Sequence, residues 1–490
     1  MIQSIDYLAV APPLILAVAA IALLLFEAFL PDAGVRQVAT LSLAGIFAAA
    51  VAVGLLAVGP LPRTTFCVPG GPAACSYHLS SFTLLLDLVV LFSAAVVVLI
   101  ASAEICATEL PAGEFGFLLL SSLAGILVLT AAGDLVTLVV ALETLTLPVL
   151  ALAAIRRRDR RSSEAAVKMF LFSLVSTAVM LYGVSLIYGI SGTVFLSRIA
   201  VFDGGGPLTW LAILLVVVGF GFKISLVPFH FWAPDTYSGA PVSVAGFLSV
   251  ISKAGGLAGL ILVLVTAFGR YAVIWGPWLA VLAAITMTMG NLVALRQTRI
   301  VRLLAWSSIA HAGYMLTPLA ALAGVADRPE LVRGLVGAAV GYLAIYALMT
   351  IGVFAVVSFA GWVGPYGGGA LDDYRGLARS HPLVALCLAF LLASLAGVPP
   401  GLAGFFAKIF VFRATVAGGY GWLAVLMAIN AVIGLSYYLS WAVRLFDRRP
   451  AGLTVGSGPV PRPVAAAIAA ATAGTALLSV VPGLVLGFSP

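Results

Sequence analysis

Charged side chains are scarce in this sequence, and their scarcity indicates the class of protein. Asp, Glu, Lys and Arg together make up 9% of the 490 residues, whereas 63% of the residues are hydrophobic. A soluble domain usually has about a quarter of its residues charged. It has no use for so much apolar surface, which a lipid bilayer can accommodate. The composition therefore excludes a soluble enzyme and predicts an all-α integral membrane protein.

Cysteine and histidine are also sparse, with four residues of each. No cysteine spacing suits a zinc site or an iron–sulfur cluster, and the sequence has no Walker loop, dinucleotide fingerprint or His-x-x-x-His pair. We therefore expect this chain to bind no metal and no cofactor. Cys67 and Cys75 flank a stretch rich in proline and glycine, where they either pair in an oxidising compartment or remain free thiols.

Long apolar runs follow one another along the whole chain. Each run spans about 18–30 residues, and connectors rich in Gly, Pro and Arg separate them. These runs predict about fourteen membrane-spanning helices, numbered 1 to 14 from the N-terminus. Their approximate ranges are 8–30, 37–59, 81–103, 114–132, 134–155, 164–188, 207–228, 241–267, 271–294, 301–323, 333–360, 382–412, 417–446 and 463–486.

Two of these helices contain prolines that interrupt them. Pro228 ends helix 7, with an irregular continuation beyond it, and Pro399-Pro400 divides helix 12 into two half-helices. A proline frees backbone carbonyl groups, which in a membrane must be paired or meet water. Discontinuous helices at membrane depth are typical of ion-handling sites. The two breaks therefore mark helices 7 and 12 as candidates for such a site.

The spacing of the broken helices predicts an internal repeat. They lie five helices apart, so helices 4–8 and 9–13 can form two five-helix repeats, the second inverted because each unit has an odd number of helices. Under this pairing Lys223 on helix 7 corresponds to Lys408 on helix 12. The predicted regions are residues 1–113 with helices 1–3, 114–267 with the first repeat, 268–446 with the second repeat, and 447–490 with helix 14.

The arginines indicate the orientation of the helices. If the connectors alternate between the two sides of the membrane, fifteen arginines lie on one side and six on the other. The positive-inside rule places the richer side in the cytoplasm, so we expect both termini on the outer side of a bacterial plasma membrane. The net charge of +7 does not predict a nucleic-acid partner, because no basic stripe with interleaved aromatic residues is present.

The placement of the lysines is the most informative feature of the sequence. All four, Lys168, Lys223, Lys253 and Lys408, fall inside apolar runs, whereas the arginines lie in or beside connectors. A charged lysine at mid-membrane costs about 2.5–3.5 kcal/mol, which argues against accident. Arginine keeps its proton, whereas a desolvated lysine can be driven toward neutrality. A lysine whose acidic partner moves or becomes neutral is therefore a proton switch.

The four lysines differ in depth. Lys168 lies one turn into helix 6 and four residues after Glu164, so it either snorkels to the cytoplasmic edge, forms an i,i+4 pair or takes part in proton transfer. Lys223, Lys253 and Lys408 lie deeper in their runs, where a purely structural role is harder to justify.

Few other ionisable groups are embedded. Glu143, near the middle of helix 5, is the candidate partner of the helix 7 lysine. His311 in helix 10 is either a proton relay, since imidazole titrates near neutrality, or a hydrogen-bonded core residue. His230 is expected to cap the break in helix 7 or to line a cytoplasmic mouth, and Asp87 and Glu27 are taken as structural. The predicted lateral row of titratable groups at membrane depth comprises Glu143, Lys223, Lys253, His311 and Lys408.

Residues 219–241, GFGFKISLVPFHFWAPDTYSGAP, resemble the signature of the antiporter-like subunits of complex I and of the related multisubunit cation/proton antiporters. The resemblance extends over roughly residues 114–446 and implies a fourteen-helix core with an inverted repeat. It assigns proton-translocating roles to the pair Glu143 and Lys223 on helices 5 and 7, and to Lys253 as the central lysine on helix 8. It also assigns such roles to Lys408 as the terminal residue on helix 12, and to Glu164 and Lys168 as a polar pair on helix 6.

Within this family the sequence is most similar to the N-type subunits. Residues 302–316, 371–383 and 394–412 carry the similarity, and helix 12 holds Lys408 where M-type subunits typically have a glutamate. The resemblance implies a proton-translocating subunit in the membrane arm of NADH–quinone oxidoreductase. NADH, FMN, iron–sulfur clusters and quinone would then be bound by partner subunits, with M-type and K-type subunits as neighbours.

Three alternatives use the same features. A sodium/proton antiporter, stand-alone or multisubunit, would have the same fold and lysines, although the N-type stretches argue against it. A membrane subunit of a related hydrogenase or formate-linked complex would differ only in its neighbours. A scaffold with no proton path of its own would show lysine variants that change assembly rather than transport.

Overall fold

The computed structural model describes residues 5–30, 34–68, 74–360, 369–447 and 459–486. Its long helices follow the predicted spans in order, and the predicted all-α membrane fold is confirmed. The helices are Tyr7–Phe29 (helix 1), Val35–Val58 (2), Ser81–Thr108 (3), Ala112–Thr130 (4), Leu135–Ala153 (5), Arg160–Ser191 (6), Pro207–Ile224 with Trp232–Gly239 (7), Val242–Ala267 (8), Gly269–Ala294 (9), Ile300–Ala320 (10), Pro329–Ala360 (11), Pro382–Ala396 with Leu402–Ala417 (12), Gly421–Leu445 (13) and Arg462–Val480 (14).

Twelve helices in the described ranges are long and apolar enough to cross a membrane. The other two predicted spans are helix 10, which is 21 residues long, and helix 12, which is present as two shorter pieces. The count of fourteen crossings and the inverted relation of the two repeats therefore stay predictions. Within the described ranges, three one-turn α-helices lie in or beside the connectors, at Leu196–Ile199, Leu377–Ser380 and Gly483–Leu486, and two one-turn 3-10 helices lie at Ala321–Gly324 and Leu371–Tyr374.

Helix 7 is broken, as Pro228 predicts. Its first part, helix 7a, ends at Ile224, and Ser225 then takes a left-handed backbone conformation with φ 65°. Its second part, helix 7b, begins at Trp232 and is a regular helix of eight residues rather than an irregular continuation. The Trp232 indole N–H donates a 2.9 Å hydrogen bond to the carbonyl oxygen of Phe222. This bond joins helix 7b to a carbonyl in the last turn of helix 7a, which also accepts a 3.0 Å hydrogen bond from the Ser225 N–H.

Helix 12 consists of two half-helices, which confirms the prediction from its proline pair. The first, helix 12a, ends at Gly397, which has a φ of 80°, a conformation that favours glycine. The second, helix 12b, starts at Leu402 and passes very close to the end of helix 12a. A Cβ atom added to Gly404 would lie 1.7 Å from the carbonyl oxygen of Ser394. Glycine at residue 404 is therefore required for this approach.

Helix 8 departs from α-helical geometry on both sides of its centre. Leu248–Ser252 and Leu262–Ala267 are π-helical turns, and the α-helical piece Lys253–Ile261 lies between them. Such wider turns rotate the following residues about the helix axis and are frequent at functional sites. Lys253 follows the first π turn directly, so the turn sets the direction in which its side chain points.

Glu104 of helix 3 holds the N-terminus of helix 8. Its carboxylate accepts hydrogen bonds of 3.0 Å from the backbone N–H groups of Val242 and Ser243, and one of 2.8 Å from the Ser243 hydroxyl. It also pairs with Arg156 at 2.7 Å. Glu104 lies just beyond the predicted end of helix 3 at residue 103, so the sequence did not reveal it as a buried acid.

A β-hairpin, which the sequence did not predict, precedes helix 3. Its strands are Arg63–Cys67 (β1) and Cys75–Leu79 (β2), and they pair in antiparallel register. A disulfide joins Cys67 to Cys75, so the structure has the paired alternative rather than two free thiols. Strand β2 also contacts the connector between helices 4 and 5, since the His78 N–H donates to the Ala131 carbonyl at 2.7 Å.

Candidate functional site

Lys223 is the last residue but one of helix 7a, and it is buried with 3% of its surface exposed. Its amine donates hydrogen bonds to the hydroxyls of Thr146 on helix 5, at 2.7 Å, and Ser173 on helix 6, at 3.1 Å. The predicted partner Glu143 lies 4.0 Å from the amine, at the outer limit of an ion pair. The Glu143 carboxylate accepts a 2.8 Å hydrogen bond from Thr177 instead. The acid and the amine are therefore close but not in direct hydrogen-bond contact.

The hydroxyls around Lys223 are part of the site that the sequence did not reveal. Thr146 lies three residues after Glu143, on the same face of helix 5, and this i,i+3 spacing is the one signal that points to it. Ser173 carries no such signal, because only the packing of helix 6 brings it to helix 7a. These hydroxyls give the amine polar contacts whether or not it interacts with the carboxylate.

Lys253 lies on helix 8 with 1% of its surface exposed. Its amine donates a 2.8 Å hydrogen bond to the carbonyl oxygen of Ile224, the last residue of helix 7a. No carboxylate in the described part of the chain pairs with it within 4.0 Å. Helix 8 approaches closely here, since a Cβ atom added to Gly256 would lie 3.0 Å from the Lys223 Cβ. Lys253 thus pairs a carbonyl group that the break in helix 7 leaves free.

Lys408 makes the same kind of contact at the break in helix 12. Its amine donates to the carbonyl oxygens of Leu395, at 2.8 Å, and Ala396, at 2.6 Å, which are the last two residues of helix 12a. Its side chain lies on helix 12b and passes over Gly397, whose missing Cβ makes room for it. Lys408 therefore resembles Lys253 in its contacts and lies in the second half of a broken helix. The predicted repeat equivalence with the helix 7a lysine stays a prediction.

His311 of helix 10 lies between these groups. Its Nδ1 is 2.8 Å from the Tyr342 hydroxyl and its Nε2 is 3.1 Å from the Tyr438 hydroxyl. It interacts electrostatically with both Lys253 and Lys408. Both ring nitrogens are therefore hydrogen-bonded. A proton relay requires such contacts and so does a buried core histidine, so the contacts fit both expected roles. The two tyrosines were not predicted, because they come from helices 11 and 13 and share no spacing with His311.

The Lys168 and Glu164 pair on helix 6 is confirmed as an ion pair, with 2.7 Å between the amine and the carboxylate. Lys168 also binds Asp235 of helix 7b at 2.8 Å, and Asp235 binds Arg302 of helix 10 at 2.9 Å. The Lys168 side chain is 39% exposed. This network joins helices 6, 7b and 10, and none of its ion pairs includes Lys223, Lys253 or Lys408.

Two other embedded groups, Glu27 and His230, have structural contacts. Glu27 accepts a 2.8 Å hydrogen bond from the Gly113 N–H, which ties helix 1 to helix 4. His230 is 1% exposed, and its ring packs against Phe231 and Trp306. These neighbours bury His230, and the ring also interacts with the Pro228 backbone, which favours the expected role at the break in helix 7 over a place in a cytoplasmic mouth.

Amines at the ends of broken helices, with a carboxylate and a histidine near them, define a membrane protein of the antiporter-like class. The family model described as NADH:quinone oxidoreductase/Mrp antiporter, TM matches residues 132–434. The chain belongs to this family, within its N-type subunits of NADH-quinone oxidoreductase.

Two relatives show how close this membership is. NADH-quinone oxidoreductase subunit N 2 of Streptomyces griseus is 48% identical over 513 residues, which cover 100% of this chain and 94% of the relative. A chain in the solved structure of respiratory complex I from Thermus thermophilus with bound aureothin is 32% identical, with a TM-score of 0.78, covering 97% of this chain and 98% of that one. Each match covers more than nine tenths of both chains.

The fold is shared more widely than the N-type family. A chain in the structure of the Mrp complex from Dietzia sp. has a TM-score of 0.83 at 21% identity, covering 98% of this chain and 96% of that one. This likeness shows a common fold and no more.

Proposed function

We propose that this chain translocates protons as a membrane-arm subunit of NADH-quinone oxidoreductase. NADH oxidation and quinone reduction would take place in partner subunits, which would hold the FMN, the iron–sulfur clusters and the quinone site. The observation that carries the proposal is the placement of three lysines at the two helix breaks of an N-type chain, of which Lys223 and Lys253 are buried and Lys408 is partly buried. M-type and K-type subunits are the proposed neighbours.

The contacts of Lys223 support a switch in the first half of the chain. The amine already has two hydroxyl partners, so it can be held with or without a full ion pair to Glu143. A shift of the carboxylate from 4.0 Å into contact would favour the charged amine, and a shift away would favour release of the proton. Because Thr177 holds the carboxylate, movement of helix 6 relative to helix 5 would change this distance.

The proton then passes along the lateral row. Lys253 comes next, bound to the carbonyl of the residue that follows Lys223, and His311 lies within electrostatic reach of both Lys253 and Lys408. Each amine loses one proton and each acceptor gains one, so no redox step is needed in this chain. The row links the two proposed five-helix repeats, 114–267 and 268–446.

The orientation is proposed on the arginine count. Fifteen arginines on one side against six on the other place the richer side in the cytoplasm. Both termini would then face outward from a bacterial plasma membrane. The disulfide-linked hairpin falls on the proposed outer side, in the oxidising compartment where disulfides persist.

Co-purification tests the assignment to a complex. The tagged chain, extracted in mild detergent, should bring with it a flavin-containing assembly that reduces quinone with NADH. A chain that arrives without flavin and exchanges sodium for protons in liposomes would instead support the antiporter alternative.

Variants of the assembled complex test proton translocation. Lys223→Ala should abolish pumping through this chain while the complex still assembles and oxidises NADH. Thr144→Val is a matched control, since Thr144 is exposed on helix 5 beside Glu143 and its hydroxyl bonds only to its own helix. Full pumping per NADH in Lys223→Ala would contradict the proposal. Loss of assembly in every lysine variant would favour the scaffold alternative.

A further inference from the structure

A cavity of about 400 Å³ lies among the connectors and helix ends on the proposed outer side of the chain. Its walls come from the β-hairpin, from the connectors that follow helices 4 and 6, from the end of helix 8 and from the start of helix 11. The walls are mostly apolar, and their polar members include Thr64, His78, Thr83, Thr130 and Arg333. One water occupies about 30 Å³ in the liquid, so the cavity has room for several.

Asp87 lies beside this cavity, seven residues into helix 3, and is 1% exposed. Its Oδ1 accepts a 2.8 Å hydrogen bond from the Thr130 hydroxyl. Its Oδ2 has no hydrogen-bond partner in the described ranges, and no described cation pairs with the carboxylate. A buried carboxylate that is ionised, half-satisfied and unpaired is costly. The site therefore suits a carboxyl group that binds a proton.

Two threonines connect this carboxyl group to the cavity. Thr130, which bonds Asp87, also lines the cavity wall. Thr83 lines the same wall and donates a 3.2 Å hydrogen bond to the Thr130 carbonyl, which fixes the end of helix 4 against helix 3. A hydroxyl both donates and accepts, so Thr130 can take a proton on one side and give its own on the other.

The other ionisable groups around the site are few. Tyr77 interacts electrostatically with Asp87, and its hydroxyl also has no partner in the described part of the chain. The His78 imidazole lines the cavity and lies on the exposed face of strand β2. Arg333 of helix 11 lies at the cavity wall and remains charged.

We propose that Asp87 is a proton-binding group that exchanges its proton with the outer side through this cavity. For release, the Thr130 hydroxyl turns to accept the Asp87 proton and to donate its own to water in the cavity, the reverse of its hydrogen bond to the ionised carboxylate. Two O–H bonds break, at Asp87 and Thr130, and two form, at Thr130 and at the water, so the net change is one proton transferred from the carboxyl group to the water. The role of this exchange in turnover rests on the proposed proton translocation, whereas the binding of the proton does not.

Infrared difference spectroscopy of the purified complex tests proton binding directly. A pH step should change a carboxylic-acid C=O band in the parent spectrum. The band should be absent in Asp87→Asn. It should be shifted in Thr130→Val, because valine keeps the shape of threonine and removes its hydrogen bond to Asp87. Ser93→Ala is the matched control on helix 3, since the Ser93 hydroxyl bonds only to Val89 of its own helix at 2.7 Å. Asp87→Asn spectra identical to those of the parent would overturn the proposal.

Pumping assays in vesicles separate this proposal from the one it rests on. Asp87→Asn and Thr130→Val should pump several-fold fewer protons per NADH, with Ser93→Ala unchanged. If Lys223→Ala pumps fully while the Asp87 band persists, translocation by this chain fails and the proton-binding site stands. A second outcome is that Lys223→Ala stops pumping while Asp87→Asn and Thr130→Val both keep the parental infrared difference spectrum and the parental number of protons pumped per NADH. That result would overturn only the Asp87 proposal.

Discussion

The Lys253 amine donates a 2.8 Å hydrogen bond to the carbonyl oxygen of Ile224, so a side chain of helix 8 closes the end of helix 7a. Ile224 follows Lys223 directly, so the Lys253 amine binds the residue next to the other buried lysine. A cation is favourable there, because the last carbonyl groups of a helix carry partial negative charge. Loss of the proton from Lys253 weakens this bond, which links its charge to the conformation of the break.

The first prediction concerns Lys253 itself. Lys253→Met leaves the Ile224 carbonyl unpaired, which should cost about 1–3 kcal/mol of stability and abolish pumping. Lys253→Arg keeps a charged donor but cannot release a proton, so it should recover stability without recovering pumping. Thermal unfolding of the complex and protons pumped per NADH are the two measurements. An arginine variant that pumps like the parent would show that the proton stays on residue 253.

The second prediction concerns the hydroxyls around Lys223. Thr146→Val removes the 2.7 Å hydrogen bond to the amine while keeping the shape of the side chain. We expect partial loss of pumping, about tenfold, since one such bond to a charged group contributes roughly 1.5–3 kcal/mol. Thr146→Ser retains the hydroxyl and should pump at close to the parental rate. Equal activity of the valine and serine variants would exclude a role for this contact.

The third prediction concerns the terminal lysine. Lys408→Arg preserves charge at the end of helix 12a but holds its proton permanently, so it should pump almost as poorly as Lys408→Met. The pumping rate in reconstituted vesicles, normalised to NADH oxidation, measures the difference. Normal pumping by Lys408→Arg would leave Lys408 as an electrostatic element that pairs the carbonyls of Leu395 and Ala396.

The fourth prediction separates structural from functional acids. Glu104→Ala removes a buried carboxylate that satisfies Arg156 and the N-terminus of helix 8, so it should destabilise the complex by about 3–5 kcal/mol. Glu114→Ala is the control, because its ion pair with Arg157 is exposed and should contribute at most about 1 kcal/mol. Melting curves of the detergent-solubilised complex compare the two. Similar melting temperatures would contradict the assigned role of Glu104.

Much of the fold was predictable because the bilayer imposes strong local rules. Apolar runs long enough to span it locate the helices, and Pro228 and Pro399-Pro400 locate the breaks. The hairpin escaped prediction because strands as short as Arg63–Cys67 carry little periodic signal. Glu104 escaped because its burial depends on the end of a helix, which is the least certain part of any assignment.

The residues of the candidate site likewise include some that the sequence revealed and others that it did not. The four lysines were apparent because a cation inside an apolar run is conspicuous wherever the run folds. Ser173, which binds Lys223, and Tyr342 and Tyr438, which contact His311, were not apparent, since they come from distant helices and are ordinary residues in their own segments. Contacts between helices leave no trace in the spacing of a single helix.

The sequence by itself determined the membrane class, the helix breaks and the depth of the lysines, because each follows from the cost of placing a group in hydrocarbon. Only the tertiary structure decided what each amine touches. Lys223 binds hydroxyls and stands 4.0 Å from Glu143, whereas Lys253 and Lys408 bind backbone carbonyls. The physical reason is that a broken helix exposes carbonyl groups at its end, and the packing of neighbouring helices selects the amine that pairs them.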